Sequence, residues 1–287
     1  MKKQILLIII ISLVLSTACM NRPKRGSIKI EEKDESPETL ISVEEGIDEI
    51  LTSMTDIEEI LKLSESELQV EKGKTESKKD ETEDEGDKKD TEKKENGEKD
   101  NQKDKTTKPL LKDEELAKRW NEIDTKMEKI HRDWNDYEVE SMKKGGNPEK
   151  GKTFKKNLNS FTIGVENRNI PKIMDMGSKT INSLASFFDL YKDEIRGDLS
   201  RIKFAAHQAY LNAAKGNVSN ANKLLNSTED YVTRLRQKLD KDKAKEKTLD
   251  KLSLAIADMK QSLNEKSIKL LVIKRDIILE NIKALEK

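Results

Sequence analysis

The stretch Gly146-Asn147-Pro148-Glu149-Lys150-Gly151-Lys152-Thr153 fits G-x-x-x-x-G-K-[ST], the spelling of a phosphate-binding loop. The chemistry behind that spelling needs glycines that open backbone N–H groups to phosphate, a lysine that meets its charge, and a hydroxyl on Mg²⁺. It also needs a buried strand running into the loop and a helix leaving it. Here the upstream neighbour is a helical stripe carrying Trp134 and Tyr137, followed by Lys143 and Lys144, and no segment alternates like a strand. The stretch therefore reads as a break between helices, made by Gly146 and Pro148. Its lysines are the more informative part. From Lys143 to Lys172 eight basic residues (Lys143, Lys144, Lys150, Lys152, Lys155, Lys156, Arg168, Lys172) meet two acidic ones, Glu149 and Glu166. That is a candidate patch for a sulfated glycan or an acidic protein surface, with ordinary solvated charge as the alternative.

Arg196-Gly197-Asp198-Leu199, with Ile202 further on, is similar to the RGDLxxI pattern by which some ligands engage integrins. The same residues also suit a plain turn at Gly197 with Asp198 capping the next helix. Other chemistry is absent from the pattern. His131 and His207 are the only histidines and have no metal or nucleophile motif near them, and the carboxylates are scattered rather than paired. The chain reads as a non-enzyme without cofactor or metal site. Nucleic acid is excluded as a partner because the basic excess has no interleaved aromatics.

The N-terminus carries its own chemistry. Lys2 and Lys3 precede an apolar run from Ile5 to Leu15, too short for the ~20 residues that span a bilayer but suited to a secretory signal. The single cysteine, Cys19, follows the small residues Ser16-Thr17-Ala18, where such a signal is cut. Leu15-Ser16-Thr17-Ala18-Cys19 resembles a bacterial lipoprotein signal, departing from the strict pattern at Ser16, where leucine is usual. The resemblance implies diacylation of Cys19 on sulfur, including palmitate, and a lipid-anchored mature protein.

The elements that must position these residues are helical. With 39% charged and 33% hydrophobic residues, part of the chain must lie outside any packed core. After the leader (1–18) and a polar tether (19–36), Leu40, Val43, Ile47, Ile50, Met54, Ile57 and Leu61 alternate spacings of 3 and 4. That is a heptad seam over 37–63, started by Ser36 as cap and Pro37 as first helical residue, and it needs a partner helix. Residues 64–109 form a charged linker with nothing to bury, expected to be disordered. Leu116, Trp120, Ile123, Met127, Ile130, Trp134 and Tyr137 then make a second seam. Further helices are expected from Phe154, from Pro171, over Leu199 to Lys215, from a cap at Ser219, and from Thr248 to Leu285. The last has Leu249, Leu252, Ile256, Met259 and Leu263 on a seam, becomes apolar nearly all round near its end, and is so expected at the centre. The fold class is all-α, a helical bundle of about five or six helices over 110–287. Charge divides along the chain. Residues 19–108 carry 18 Lys+Arg against 28 Asp+Glu, and residues 109–287 carry 36 against 28.

Lysine and isoleucine richness, the relaxed lipoprotein signal, the charged linker and the helical C-terminal part together resemble a spirochaetal (Borrelia-type) outer-surface lipoprotein. The resemblance is specific over Leu15 to Cys19 and architectural elsewhere. It implies an outer-membrane, lipid-anchored, surface-exposed protein, a host-interaction antigen whose helical domain serves adhesion or immune evasion. Partners implied are host matrix, complement, plasminogen (through a terminal Lys287) or a glycosaminoglycan. The linker is expected to hold the domain off the membrane. The alternative is a structural or assembly lipoprotein whose heptad helices, as coiled coils, bind bacterial partners or self-associate.

Overall fold

The computed structural model describes residues 35–64, 67, 111–192 and 194–287. The leader, nearly all of the tether and most of the 64–109 linker lie outside the described residues. The described chain is all-α: α1 (Glu38–Lys62), α2 (Leu111–Lys143), α3 (Pro148–Glu166), α4 (Ile170–Phe188), α5 (Arg196–Ala214), α6 (Val218–Asn226), α7 (Thr228–Lys238), α8 (Lys243–Ser262) and α9 (Ile268–Glu286). No strand occurs among the described residues. None of their helices is long and apolar enough to cross a membrane.

The first seam becomes α1, with Leu40, Val43, Ile47, Ile50, Met54 and Ile57 fully buried. Its final position differs. Leu61 is half exposed and Ile60 turns inward instead. Ser36 does not cap the helix; Pro37 takes the cap position and Ser36 Oγ donates to Glu194 at 2.6 Å. The partner that the seam requires is α2, which buries Ile123, Met127, Ile130, Trp134 and Tyr137. Ser42 with Asp133, Glu49 with Lys126 and Asp56 with Arg119 fix the two helices antiparallel in one register. Over their buried positions the two seams thus cover each other within the chain.

The helix at 37–63, which precedes the bundle segment in sequence and whose partner the spacing left open, packs with the bundle helices. α1 packs on α2 and α4. α9 runs antiparallel along it, from Arg275 beside Thr55 to Glu286 beside Glu44. Lys112 Nζ donates to the carbonyls of Leu61 and Leu63 at 2.9 and 2.8 Å, so the chain leaves α1 and enters α2 at one place. The segment 64–109 therefore connects two packed helices of the bundle.

α3 returns along α2, fixed by Lys155 with Glu138 and Arg168 with Asp124. Asn169 caps α4, and Pro171 sits in its first turn, where a missing N–H costs nothing. Gly177 lets α4 approach closely, since a Cβ there would lie 2.7 Å from Leu51 Cδ2 and 2.9 Å from Phe161 Cε2. α5 is the enclosed helix. Leu199, Ile202, Ala205, Ala206 and Ala209 are buried, and so are Asp198, Ser200, Lys203 and His207, on faces all round it. Its alanines admit neighbours at short range, which is why α5, and not the last helix, occupies the centre. α9 exposes Ile268, Ile273 and Ile277.

The segment 111–286 holds eight α-helices, more than the five or six expected. Two spans read as single helices are each broken. After Asn217, which caps α6 in place of Ser219, the chain kinks at Ser227 and Thr228. Between α8 and α9, Lys266 is left-handed (φ 51°) and Ser267 caps α9 by accepting from Leu270 N–H. α3 begins at Pro148, six residues before the expected start at Phe154.

Candidate functional site

The phosphate-loop spelling lies across a helix start. Gly145 is left-handed (φ 90°) and turns the chain out of α2. Asn147 caps α3 by accepting from Glu149 N–H at 2.8 Å, and Pro148 is the first helical residue. Gly151 is already helical, its N–H bonded to Asn147 O at 3.1 Å. Lys152 pairs with Glu149 at 2.7 Å, and the Thr153 hydroxyl donates to Glu149 O at 2.9 Å. The glycine N–H and threonine hydroxyl that would hold phosphate and metal are spent inside the helix.

What this turn does present is lysine. Lys143, Lys144, Lys150, Lys152, Lys155 and Lys156 are all exposed around the α2–α3 junction. Lys155 is neutralised by Glu138, and Lys144 lies 5.2 Å over the Tyr191 ring. On the register of Ser42 with Asp133, Tyr137 stands beside Glu38, and the six α2 residues beyond it carry the tip ~9 Å past the start of α1. The structure divides the eight-residue patch read from sequence. Arg168 and Lys172 lie past the far end of α3, a helix of 19 residues and so ~28 Å long. Arg168 is moreover held by Asp124 through two bonds of 2.7 and 2.6 Å and stacks 4.7 Å over Trp120. The partnership with Asp124 raises its pKa further. The surviving patch is the six-lysine tip.

The Arg196-Gly197-Asp198 motif is not displayed. It forms the first turn of α5 rather than a loop, and Gly197 packs where a Cβ would meet Asp189 Oδ1 at 2.6 Å. Asp198 is buried, accepting from Arg234 at 3.0 and 2.6 Å and from Lys238 at 3.2 Å. Leu199 and Ile202 are core residues. An integrin metal site requires a free aspartate, and this one ties α5 to α7. The capping alternative also changes, since Asp198 is inside the helix. Glu194, whose carboxylate accepts from the N–H groups of Ile195 and Arg196, takes the first-turn role.

A second group of perturbed ionisable residues lies outside the motifs singled out above. Glu44 and Asp48 of α1, Arg196, Ser200 and Lys203 of α5, and Glu286 of α9 converge in a buried cluster. Lys203 Nζ lies 3.1 Å from Glu44 and 2.6 Å from Glu286 and also bonds Asp48. Arg196 reaches Glu44 at 3.1 Å, and Ser200 Oγ donates to Glu44 at 2.7 Å. Three carboxylates thus face two cations. Burial pushes Glu286 up to about 7, with repulsion from Glu44 and Asp48 adding to it against the attraction of Lys203. Burial likewise raises Asp48 to about 6, and the surrounding carboxylates hold Lys203 above its ordinary range despite burial. The oxygens of Glu44, Asp48 and Glu286 lie within 4.8 Å of one another, close enough for a metal, but the Lys203 ammonium stands among them as their counter-ion. A charged residue inside an apolar stripe was the available clue: Glu44 falls between Leu40 and Ile47, and Lys203 follows Ile202.

The two histidines sit in different settings. His131 is half-buried, 2.8 Å from the Thr162 hydroxyl, and burial lowers its pKa. His207 is enclosed in α5, where burial first, then Arg275 and Lys203, hold it neutral down to about 3. Compared with known protein families, curated proteins and solved structures, the chain finds no match.

Proposed function

We propose that the chain is a lipoprotein, acylated at Cys19 and displayed at the outer membrane, whose helical bundle binds a polyanionic host partner through the α2–α3 tip. A sulfated glycan or an acidic protein surface fits it. The observation that carries the reading is the exposure of Lys143, Lys144, Lys150, Lys152, Lys155 and Lys156 around one turn, where Glu149 and Glu138 pair with only Lys152 and Lys155. Lysines on flexible stems suit a partner with spaced negative charge, and such attraction weakens as salt screens it. The rigid bundle behind the tip holds the two helix ends in one arrangement.

The tether that remains is short. From Cys19 to Ser36 is 17 residues, at most ~60 Å fully extended. The bundle therefore works near the membrane, and the 64–109 segment adds nothing to that reach because both its ends are docked.

The chain from residue 20 onward should be retained on a heparin matrix at physiological salt. Replacing Lys143, Lys150, Lys152 and Lys156 by glutamine should release it. Equal retention of the two proteins sinks the tip as a binding surface. For the anchor, Cys19→Ser should abolish incorporation of a palmitate analogue in cells, and undiminished labelling would rule that anchor out.

A further inference from the structure

At the end of the bundle away from the lysine tip, α1, α4, α5 and α9 leave a cleft of about 190 Å³. Met54, Met174 and Leu211 line its apolar part, Arg275 forms a wall, and Glu58 and Lys215 also border it. Arg275 is only 3% exposed. Its Nε and Nη2 hold Asp276 at 2.8 and 2.7 Å, Nη2 also donates to Thr55 Oγ1 at 3.0 Å, and the Tyr210 ring lies 4.8 Å beneath the guanidinium. Those partners occupy Nε and Nη2 and leave Nη1 without a hydrogen bond among the described residues, while Arg275 itself lines the cleft. Asp276 is 41% exposed, so solvent shares its charge and it neutralises the buried guanidinium incompletely.

A guanidinium presenting donors to an apolar cavity needs an acceptor there. We infer that the cleft binds a small monocarboxylate with a compact apolar body, its carboxylate on Arg275 and its body against Met54, Met174 and Leu211. The size is suitable, since a cavity of roughly 150 Å³ takes up benzene. Arg275 and Lys215 are balanced by Asp276 and Glu58, so a preference for carboxylate rests on the guanidinium donors and not on net charge. Bidentate acceptance from guanidinium favours carboxylate over a neutral group of equal shape.

Benzoate is the probe, with benzyl alcohol as its neutral counterpart and acetate as the charge without the body. Each is titrated into the chain from residue 20 onward, followed by NMR of the methionine methyls. Benzoate should shift Met54 and Met174 saturably and bind at least tenfold more tightly than benzyl alcohol or acetate. Lys215→Gln should weaken it severalfold and Glu58→Gln should tighten it severalfold, both at the edge of the cleft where folding is not at risk. Arg275→Lys should remove the preference for benzoate over benzyl alcohol. Three outcomes overturn the inference: no saturable shift, equal affinity for benzoate and benzyl alcohol, or an affinity indifferent to both edge variants.

Discussion

Glu286→Gln should make this protein more stable at alkaline pH and leave it nearly unchanged at acid pH. The reason is the count of charges around Lys203, with Glu44, Asp48 and Glu286 against Lys203 and Arg196. Buried among them, Glu286 holds its proton up to about 7, against 4.5 for an ordinary glutamate. Between those values the folded chain carries a proton that the unfolded chain has released. Stability from this group is therefore fully present below pH 4.5 and is lost as pH rises through about 7. At 1.36 kcal/mol per pH unit the loss is about 3 kcal/mol. Glutamine mimics the protonated acid and does not suffer it. Urea unfolding at pH 5 and pH 8, followed by fluorescence of the buried Trp134, measures the difference between variant and parent. The expected gain is about 3 kcal/mol at pH 8 and under about 1 kcal/mol at pH 5. His207 acts in the opposite direction, because its depressed folded pKa removes stability as pH falls below 6.5, but it is common to both proteins and cancels in the difference. A variant less stable than the parent at pH 8, or a difference equal at both pH values, refutes the charge count.

Other substitutions test other joints of the structure. Asp198→Ala should cost about 2–3 kcal/mol in urea unfolding, because Arg234 and Lys238 lose a buried acceptor. Gly177→Ala should cost about 1–3 kcal/mol by overpacking against Leu51 and Phe161, read as a lowered thermal midpoint. Asn147→Ala should cost about 1 kcal/mol through the lost cap of α3. Replacing residues 65–110 by about eight glycines and serines should leave the bundle folded and raise its stability by about 1–2 kcal/mol, since a shorter loop costs less entropy to close. Unfolding of that shortened chain would contradict the docking of Lys112 on Leu61 and Leu63.

Spacing made the core readable. The alternation of 3 and 4 in α1 and α2 marks Leu40 to Ile57 and Ile123 to Tyr137, and these side chains are buried. A seam states that a helix needs a partner but not which one, and the long charged segment before α2 concealed that α1 and α2 are each other's. Helix breaks were legible where Gly or Pro marks them, as at Gly145, Pro171 and Gly216. They were hidden at Ser227 and Ser267, where hydroxyl residues and a left-handed Lys266 end helices without either residue. The lysine tip was visible as a run of charge, but only the length of α3 shows that Arg168 and Lys172 do not belong to it. The Arg196 to Asp198 motif illustrates the converse, because a tripeptide says nothing of whether its aspartate is already occupied. The Lys203 cluster draws on three helices far apart in sequence, and no local pattern announces such a meeting.

The measurement closest to the central claim is adhesion of cells that display the protein. Cells carrying the parent chain and cells carrying the Lys143, Lys150, Lys152 and Lys156 to glutamine variant are compared on a heparan-sulfate-coated surface. Protease treatment of intact cells shows that both are displayed equally. Severalfold lower adhesion of the variant, with the difference shrinking as salt is raised, is the result expected. Equal adhesion at equal display, or protection of the parent chain from the protease, would contradict the account.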